Sequence, residues 1–269
     1  MNPREFRRDD RNGKFRHFAA ALGSTCILIL SGCSEKGETG RIFLRAFVAA
    51  SLGDVVAELA QKFESQTGTS IRISQGSSGR LARQILDGAP CDLFLPADVE
   101  YLALLEEKDL IVRSSRRRLA GNSLVLIGGR PSGQQEELGE MLRRSTGFIA
   151  IASPEHAPAG KYARQALQRA HLWTDLQPRI RYADDVRFAA RYVADGVAAF
   201  GVVYRTDAQA LGGAVHILHE FSAGDHDPIR YEAALIARAS ARELAREFIH
   251  FASDDANRGI WKTHGFAAP

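Results

Sequence analysis

The feature that most constrains the fold is the alternation of strand-like and helix-like segments from residue 41 onward. Segments 70–74 and 198–204 are short and rich in β-branched residues, which is typical of strands. Segment 54–66 repeats its apolar residues at helical spacing, and Gly68 follows as a stop signal. Such alternation predicts an α/β protein with parallel sheets covered by helices, and no repeat of fixed period replaces that interpretation.

The alternation divides into two blocks, so we expect two lobes. The first lobe is predicted to comprise 41–121 and 233–269, and the second 122–232, with a ligand cleft between them. The predicted strands are 41–46, 70–74, 92–95, 123–127, 148–152, 198–204, 215–219 and 231–237. The predicted helices are 54–66, 81–86, 99–107, 160–170, 186–194 and 243–252.

The first 32 residues differ from the rest and predict an export signal. They combine a basic start, an apolar run over 18–30 and the sequence Leu-Ser-Gly before Cys33. That run has 13 residues, whereas a spanning helix needs about 20. The junction resembles the lipobox of bacterial lipoproteins, which implies a signal peptide over 1–32, lipidation of Cys33 and a polar tether over 33–40. An ordinary signal peptide that ends near a cysteine is the alternative.

The charge of the chain gives no argument for nucleic-acid binding, and none is expected. Residues 1–32 hold six of the 35 basic residues and three of the 32 acidic ones, so 29 of each remain. The short basic run 116–118 is interpreted as a solvated corner. Cys91 is the one cysteine beyond the predicted signal and anchor, so an internal disulfide is not expected.

No motif in the chain specifies an enzyme. There is no His-Glu-x-x-His, no Walker loop and no Cys-x-x-Cys, and the eight histidines are scattered. His156 is interpreted as a structural loop residue. The adjacent Asp184 and Asp185 stand at a predicted helix start, where acidic residues offset the helix dipole.

The residues at four predicted helix starts carry the functional hypothesis. Ser51, Ser78, Ala159 and Val186 each lie where a helix is predicted to begin. Helix N-termini present unpaired N–H groups and a partial positive charge, so several that converge form an anion site without Lys or Arg. The alternative is that Ser51 and Ser78 only cap their helices, with Ser51 as the N-cap of 54–66.

The same junctions lie in segments that resemble the periplasmic molybdate-binding proteins. The resemblance extends in order from about residue 41 to 266. The matching segments are FVAASL at 47–52, GSSGRLARQI at 76–85, GAPCDLF at 88–94, PEHAPAGKYA at 154–163, DDVR at 184–187 and GVVY at 201–204.

The resemblance implies a two-lobed type II periplasmic-binding-protein fold and five anion contacts. By position, Ser51 and Ser78 would each offer a hydroxyl and an N–H group, Ala159 and Val186 their N–H groups, and Tyr204 its phenol. These groups would contact the oxygens of the oxyanion and would not be direct metal ligands. No resident cofactor is expected, since molybdate or tungstate would be the cargo.

The implied function is capture of molybdate, and of tungstate too, for the permease and ATPase subunits of an ABC importer. We expect a monomeric, non-enzymatic protein in the periplasm or another extracytoplasmic space, attached to a membrane through lipid only. A sulfate or phosphate binder on this fold, or a sensor or enzyme on the same scaffold, remains the alternative. Val48 replaces a family Ala beside the site and would narrow the cavity if its side chain pointed inward.

Overall fold

The computed structural model describes residues 43–131 and 137–269. The predicted signal peptide, the tether and the lipidation of Cys33 lie outside the described residues. Within the described part, no helix is both long and apolar enough to cross a bilayer.

The described chain folds into alternating strands and helices. The strands are β1 (Phe43–Ala49), β2 (Ser70–Gly76), β3 (Leu93–Leu95), β4 (Arg117–Gly121), β5 (Leu124–Gly128), β6 (Ile149–Ala152), β7 (Ile180–Ala183), β8 (Phe200–Tyr204), β9 (His216–Glu220) and β10 (Arg230–Leu235). The helices are α1 (Gly53–Thr67), α2 (Ser78–Leu86), α3 (Val99–Glu106), α4 (Leu138–Arg144), α5 (Pro158–Arg169), α6 (Trp173–Leu176), α7 (Val186–Ala194), α8 (Arg205–Leu211), α9 (Arg242–Ser253) and α10 (Arg258–Thr263).

The strands form two five-stranded sheets with matching topology. The first has the order β2-β1-β3-β10-β4 and the second β7-β6-β8-β5-β9. In each sheet three neighbouring strands are parallel and the fourth, β10 or β5, is antiparallel to both of its neighbours. Parallel strands require helical crossovers, which explains why helices surround both sheets.

The chain passes between the sheets twice. The first passage is the two-residue link of Asn122 and Ser123 between β4 and β5, and the second leads from β9 to β10. Residues 230–232, which the sequence assigned to the second lobe, belong to β10 in the first sheet. We call the part built on the first sheet lobe 1 and the part built on the second lobe 2.

The C-terminal helices complete lobe 1. Phe63 of α1 packs edge-on against Phe248 and Phe251 of α9, with ring centroids 5.4 and 5.3 Å apart. A bridge between Gly121 and Ala267 ties the chain end to β4. These contacts bury apolar area far apart in sequence, which stabilises lobe 1 as one unit.

Several elements carry too weak a local pattern to have been predicted. They are β4, β7, α4, α6, α8 and α10. The two middle residues of β7 are exposed at the sheet edge, and α8 follows β8 without a loop. Short edge strands and short helices are specified by their neighbours more than by their own residues.

The interpretation of 116–118 as a solvated corner is wrong for its first residue. Arg117 and Arg118 are exposed in β4, but Arg116 lies between two carboxylates. Its guanidinium lies 2.9 Å from Glu106 Oε2 and 2.7 Å from Glu232 Oε2. It therefore links α3 to β10 within lobe 1.

Candidate anion-binding site

The five residues predicted to contact an anion line one small cavity at the junction of the lobes. Ser51, Ser78, Ala159, Val186 and Tyr204 are between 1% and 4% exposed, so all five are buried. Counted at the centre of a water-sized sphere, the cavity volume is about 10 Å³. Its full lining is Ala49, Ala50, Ser51, Gly76, Ser77, Ser78, Ala97, Ala157, Pro158, Ala159, Asp185, Val186 and Tyr204.

Sheet topology explains why these residues meet. Each one lies at or just beyond the carboxyl end of a parallel strand: β1 and β2 in lobe 1, and β6, β7 and β8 in lobe 2. Parallel strands end at a common edge, and the crevice outside those ends is where α/β sheets bind ligands. The two edges face each other across the cavity.

Ser51 contributes its hydroxyl from a turn and not from a helix cap. Ala50–Leu52 form a 3₁₀ turn, and α1 starts only at Gly53 with Leu52 as its N-cap. The alternative that Ser51 caps this helix is therefore wrong, because Ser51 lies inside the 3₁₀ turn and the N-cap is the next residue, Leu52. The Ser51 Oγ instead lies 3.3 Å from the Tyr231 hydroxyl.

Ser78 also makes a long-range contact and not a cap. Ser77 is the N-cap of α2 and makes no side-chain capping hydrogen bond. The Ser78 Oγ accepts a hydrogen bond of 2.9 Å from the N–H group of Ala97. Because one lone pair is engaged in this way, the hydroxyl hydrogen remains for another acceptor, and the cavity is beside it.

The other lobe supplies N–H groups at two helix starts. Helix α5 has Pro158 as its first residue and no side-chain cap, so the N–H of Ala159 has no acceptor within the helix. Helix α7 is capped by Asp185, whose Oδ1 accepts from the N–H groups of Arg187 and Phe188. The prediction that Asp185 offsets the start of α7 is confirmed, and the cap leaves the N–H of Val186 for the cavity.

Tyr204 ends β8 with a hydroxyl that has no hydrogen-bond partner among the described residues. The side chain is 1% exposed, so solvent does not replace the missing partner. Burial, followed by the neighbouring tyrosines, raises the pKa of this phenol well above its ordinary value, so it stays a donor. A buried polar group without a partner costs about 1–3 kcal/mol, which a bound acceptor would offset.

The lining has a donor character without formal positive charge. It contains no Lys or Arg, and its one ionisable carboxyl, Asp185, is engaged by the start of α7. The N-termini of α2, α5 and α7 bring partial positive charge to the same space. The N–H groups of Ala159 and Val186 and the hydroxyls of Ser51, Ser78 and Tyr204 together suit an ion that only accepts hydrogen bonds.

Direct contacts hold the two lobes against each other beside the cavity. The Gly79 N–H donates to the His156 carbonyl at 2.8 Å, and the Ser77 Oγ lies 3.1 Å from His156 Nδ1. Arg80 pairs with Asp184 through contacts of 3.1 and 2.8 Å. His156 thus has a structural contact, as the sequence suggested, and no group of metal-binding side chains exists within the described ranges 43–131 and 137–269.

Three further ion pairs cross between the lobes, and one of them joins Lys161 Nζ to Glu100 Oε2 at 2.6 Å. Lys161 Nζ lies 2.9 Å from Asp98 Oδ2, and Arg187 lies 2.8 Å from Asp54. Arg187 Nε also lies 2.7 Å from Asp207, which is fully buried. Burial would lower the pKa of Arg187, but these carboxylates outweigh it and raise that pKa, so the guanidinium stays charged.

Residues that hold the site's hydroxyl groups were missed by sequence reasoning. Ala97, Tyr231 and Asn122 make contacts to site residues or to each other, but none has a local pattern that reveals this. Val48, in contrast, was considered as a residue that would narrow the cavity. Its side chain is fully buried in the core and does not line the cavity.

Comparison with known proteins agrees with this geometry. The profile of the family described as bacterial extracellular solute-binding protein matches residues 44–267. The molybdate-binding protein ModA of Escherichia coli is 33% identical over 228 residues, which is 83% of this chain and 88% of ModA. YvgL of Bacillus subtilis, named as a candidate ABC transporter substrate-binding lipoprotein, is 32% identical over 95% of this chain and 98% of its own.

A solved structure extends the likeness to three dimensions. The periplasmic molybdate-binding protein of Azotobacter vinelandii superposes with a TM-score of 0.76 at 29% identity, covering 84% of this chain and 99% of that one. The predicted two-lobed periplasmic-binding-protein fold is therefore confirmed. The chain belongs to the family of bacterial extracellular solute-binding proteins.

Proposed function

We propose that this protein captures molybdate outside the cytoplasm and delivers it to an ABC importer. The observation that carries the proposal is the Tyr204 hydroxyl, which is buried beside the cavity without a partner among the described residues. Four hydrogen-bond donors from two lobes, on Ser51, Ser78, Ala159 and Val186, surround the same space. The relatives named for molybdate binding support the choice of ligand.

The number of donors is sufficient for tight binding. A hydrogen bond to a charged group contributes about 1.5–3 kcal/mol net, and the proposed contacts use hydroxyl groups on three residues and N–H groups on four. Binding in the micromolar to nanomolar range needs about 8–12 kcal/mol. The hydrogen-bond free energy beyond that amount offsets the free-energy cost of immobilising the ion and bringing the lobes together.

Selectivity follows from what the lining lacks. Molybdate at neutral pH carries no proton, so it only accepts hydrogen bonds and binds to donors. Hydrogenphosphate would need an acceptor in the site for its own hydrogen. Sulfate shares charge and shape with molybdate, so discrimination against it must come from cavity size. Tungstate is nearly the same size as molybdate, and we propose that it binds too.

Isothermal titration with molybdate, tungstate, sulfate and phosphate tests the proposal. We expect submicromolar dissociation constants for molybdate and tungstate and much weaker binding of the other two. Tight sulfate or phosphate binding would identify a different oxyanion as the cargo. Absence of binding to all four, or turnover of a substrate, would point to a sensor or an enzyme on this scaffold.

Delivery requires partners and a location that the site alone does not specify. We propose that the protein acts as a monomer, presents its lobes to a permease driven by ATPase subunits, and is anchored by lipid on Cys33. The lipobox-like sequence before Cys33 and the lipoprotein named among the relatives support the anchor. Cys33→Ser should move the protein from the membrane fraction to the soluble one, and continued membrane attachment would contradict the anchor.

A further inference from the structure

A chain of hydrogen bonds runs from the link between the lobes to the Ser51 hydroxyl. Asn122 lies in the two-residue passage between β4 and β5, and its Oδ1 accepts from the N–H of Ser123 at 2.9 Å. That bond fixes which side of the amide carries the hydrogens. The Asn122 Nδ2 then donates to Thr206 Oγ1 at 2.9 Å and to the Tyr231 hydroxyl at 3.0 Å.

The direction of the bond between Tyr231 and Ser51 follows from the bonds that Asn122 makes. The Tyr231 oxygen receives a hydrogen from Asn122, so its own hydrogen needs an acceptor. Tyr231 is 0% exposed, and the Ser51 Oγ at 3.3 Å is the acceptor that the described residues provide. Leaving the hydrogen unbonded in this buried position would be costly. Ser51 therefore accepts from Tyr231.

We propose that Tyr231, oriented by Asn122, is a positioning residue that makes Ser51 a fixed hydrogen-bond donor to the bound anion. A serine hydroxyl has one hydrogen, and one that already accepts from Tyr231 directs that hydrogen elsewhere, here to the cavity that Ser51 lines. Ser78 is held in the same sense by the N–H of Ala97. Both serine hydroxyls thus present hydrogens and not lone pairs, which favours anions that carry no proton.

This inference rests on the proposed capture of an oxyanion, and a double-mutant cycle tests it. Tyr231→Phe removes the hydroxyl and keeps the ring, which packs against Tyr204 and Phe266. We expect the dissociation constant for molybdate to rise about 3- to 10-fold. In a Ser51→Ala background the same change should have no further effect, since Tyr231 acts on the anion only through Ser51.

The matched control is Tyr162→Phe. Tyr162 is a second buried tyrosine that packs against Tyr204, with ring centroids 6.4 Å apart, and it is not bonded to Ser51. Its effect on affinity should be the same with and without Ser51→Ala. Thermal unfolding of each variant confirms that the native fold is retained.

A second variant reverses the chain of bonds. Asn122→Asp preserves shape but replaces the donor by an acceptor, so the Tyr231 hydroxyl would turn to the new carboxylate. Ser51 would then donate to Tyr231 and present a lone pair to the anion. We expect a larger loss of affinity than for Tyr231→Phe, and a smaller loss when Asn122→Asp is made in the Tyr231→Phe background.

Three outcomes would overturn the inference. The first is an unchanged dissociation constant for molybdate in Tyr231→Phe. The second is a double variant, Tyr231→Phe with Ser51→Ala, whose loss of affinity equals the product of the two single losses. The third is a loss in Asn122→Asp that is the same with and without Tyr231→Phe. If wild-type protein binds sulfate and not molybdate, the proposed cargo fails, but the same cycle with sulfate still decides the role of Tyr231. If it binds none of the four anions, both proposals fail.

Discussion

The two lobes supply the anion cavity by different means. Lobe 1 provides serine hydroxyls, Ser51 and Ser78, whose directions depend on groups distant in sequence. Lobe 2 provides mainly backbone N–H groups at the starts of α5 and α7, and adds the Tyr204 phenol. The contribution of lobe 1 is therefore sensitive to side-chain identity, whereas most of that of lobe 2 depends on where its helices begin.

The comparison teaches that equivalent sheets need not bind by equivalent chemistry. Both sheets have the same pattern of three parallel strands beside one antiparallel strand, and both present helix starts at the carboxyl ends of the parallel strands. A backbone donor is held by the helix that it begins, so it needs no further support. A hydroxyl rotates, so it becomes a reliable donor only when another group fixes it.

The largest expected effect comes from keeping the lobes apart. A Cβ at Gly79 would lie 2.6 Å from the His156 carbonyl oxygen and 2.8 Å from the Tyr101 hydroxyl. Gly79→Ala should weaken molybdate binding on the order of 100-fold, because such overpacking costs about 1–3 kcal/mol and separates the two donor sets. Titration calorimetry measures this directly.

Gly259→Ala is the matched control, because a Cβ at that position in lobe 1 would meet no atom within 4 Å beyond its chain neighbours and its own helix backbone. Its affinity should equal that of the wild type. If Gly79→Ala also binds with wild-type affinity, the donors of the two lobes do not need to meet. That result would contradict the claim that both lobes contribute hydrogen bonds to one anion.

A smaller effect separates side-chain donors from backbone donors. Ser78→Ala should raise the dissociation constant about 10-fold or more, because one hydrogen bond to the anion is lost. Val186→Ala retains the N–H group that faces the cavity and should change affinity by no more than about 3-fold. Parallel titrations of the two variants measure the difference. Equal losses of affinity in both would contradict the claim that lobe 1 binds through side chains and lobe 2 mainly through its backbone.

The smallest effect concerns an exposed ion pair between the lobes. Arg80 and Asp184 keep 52% and 63% of their side-chain surface, so Arg80→Ala should weaken anion binding by only about 2- to 5-fold. The loss should shrink as salt is added, since exposed pairs are screened. Fluorescence or calorimetric titration at two ionic strengths measures both effects.

Arg83→Ala provides the control for that pair. Arg83 pairs with Asp87, the C-cap of its own helix α2, with a comparable exposure of 75% and 59%, so this pair lies within lobe 1. We expect unchanged affinity. A similar loss in both variants would mean that general surface charge, and not the contact between lobes, sets the effect.

Much of the fold was predictable because its signals are local. The apolar spacing of α1 and the left-handed Gly68 at its end follow from the residues themselves, and the Asp185 cap likewise. The short elements β7 and α8 escaped prediction, since their neighbours in the sheet specify them. The 3₁₀ turn before α1 also escaped, and with it the contact between Ser51 and Tyr231.

By itself the sequence determined which positions could offer donors, namely the places where strands give way to helices, at Ser51, Ser78, Ala159 and Val186. It also determined the family, through the ordered resemblance of those segments. Both can be recognised within short segments of chain, because a helix start exposes its N–H groups wherever the rest of the fold lies.

Only the tertiary structure decided which way the hydroxyls point and which phenol is left without a partner. The bond between Ser51 and Tyr231 joins residues 180 positions apart, and that between Asn122 and Tyr231 spans 109. Burial of Tyr204 between the lobes likewise depends on both sheets being in place. Directions of hydrogen bonds and desolvation arise from packing, which no local pattern encodes.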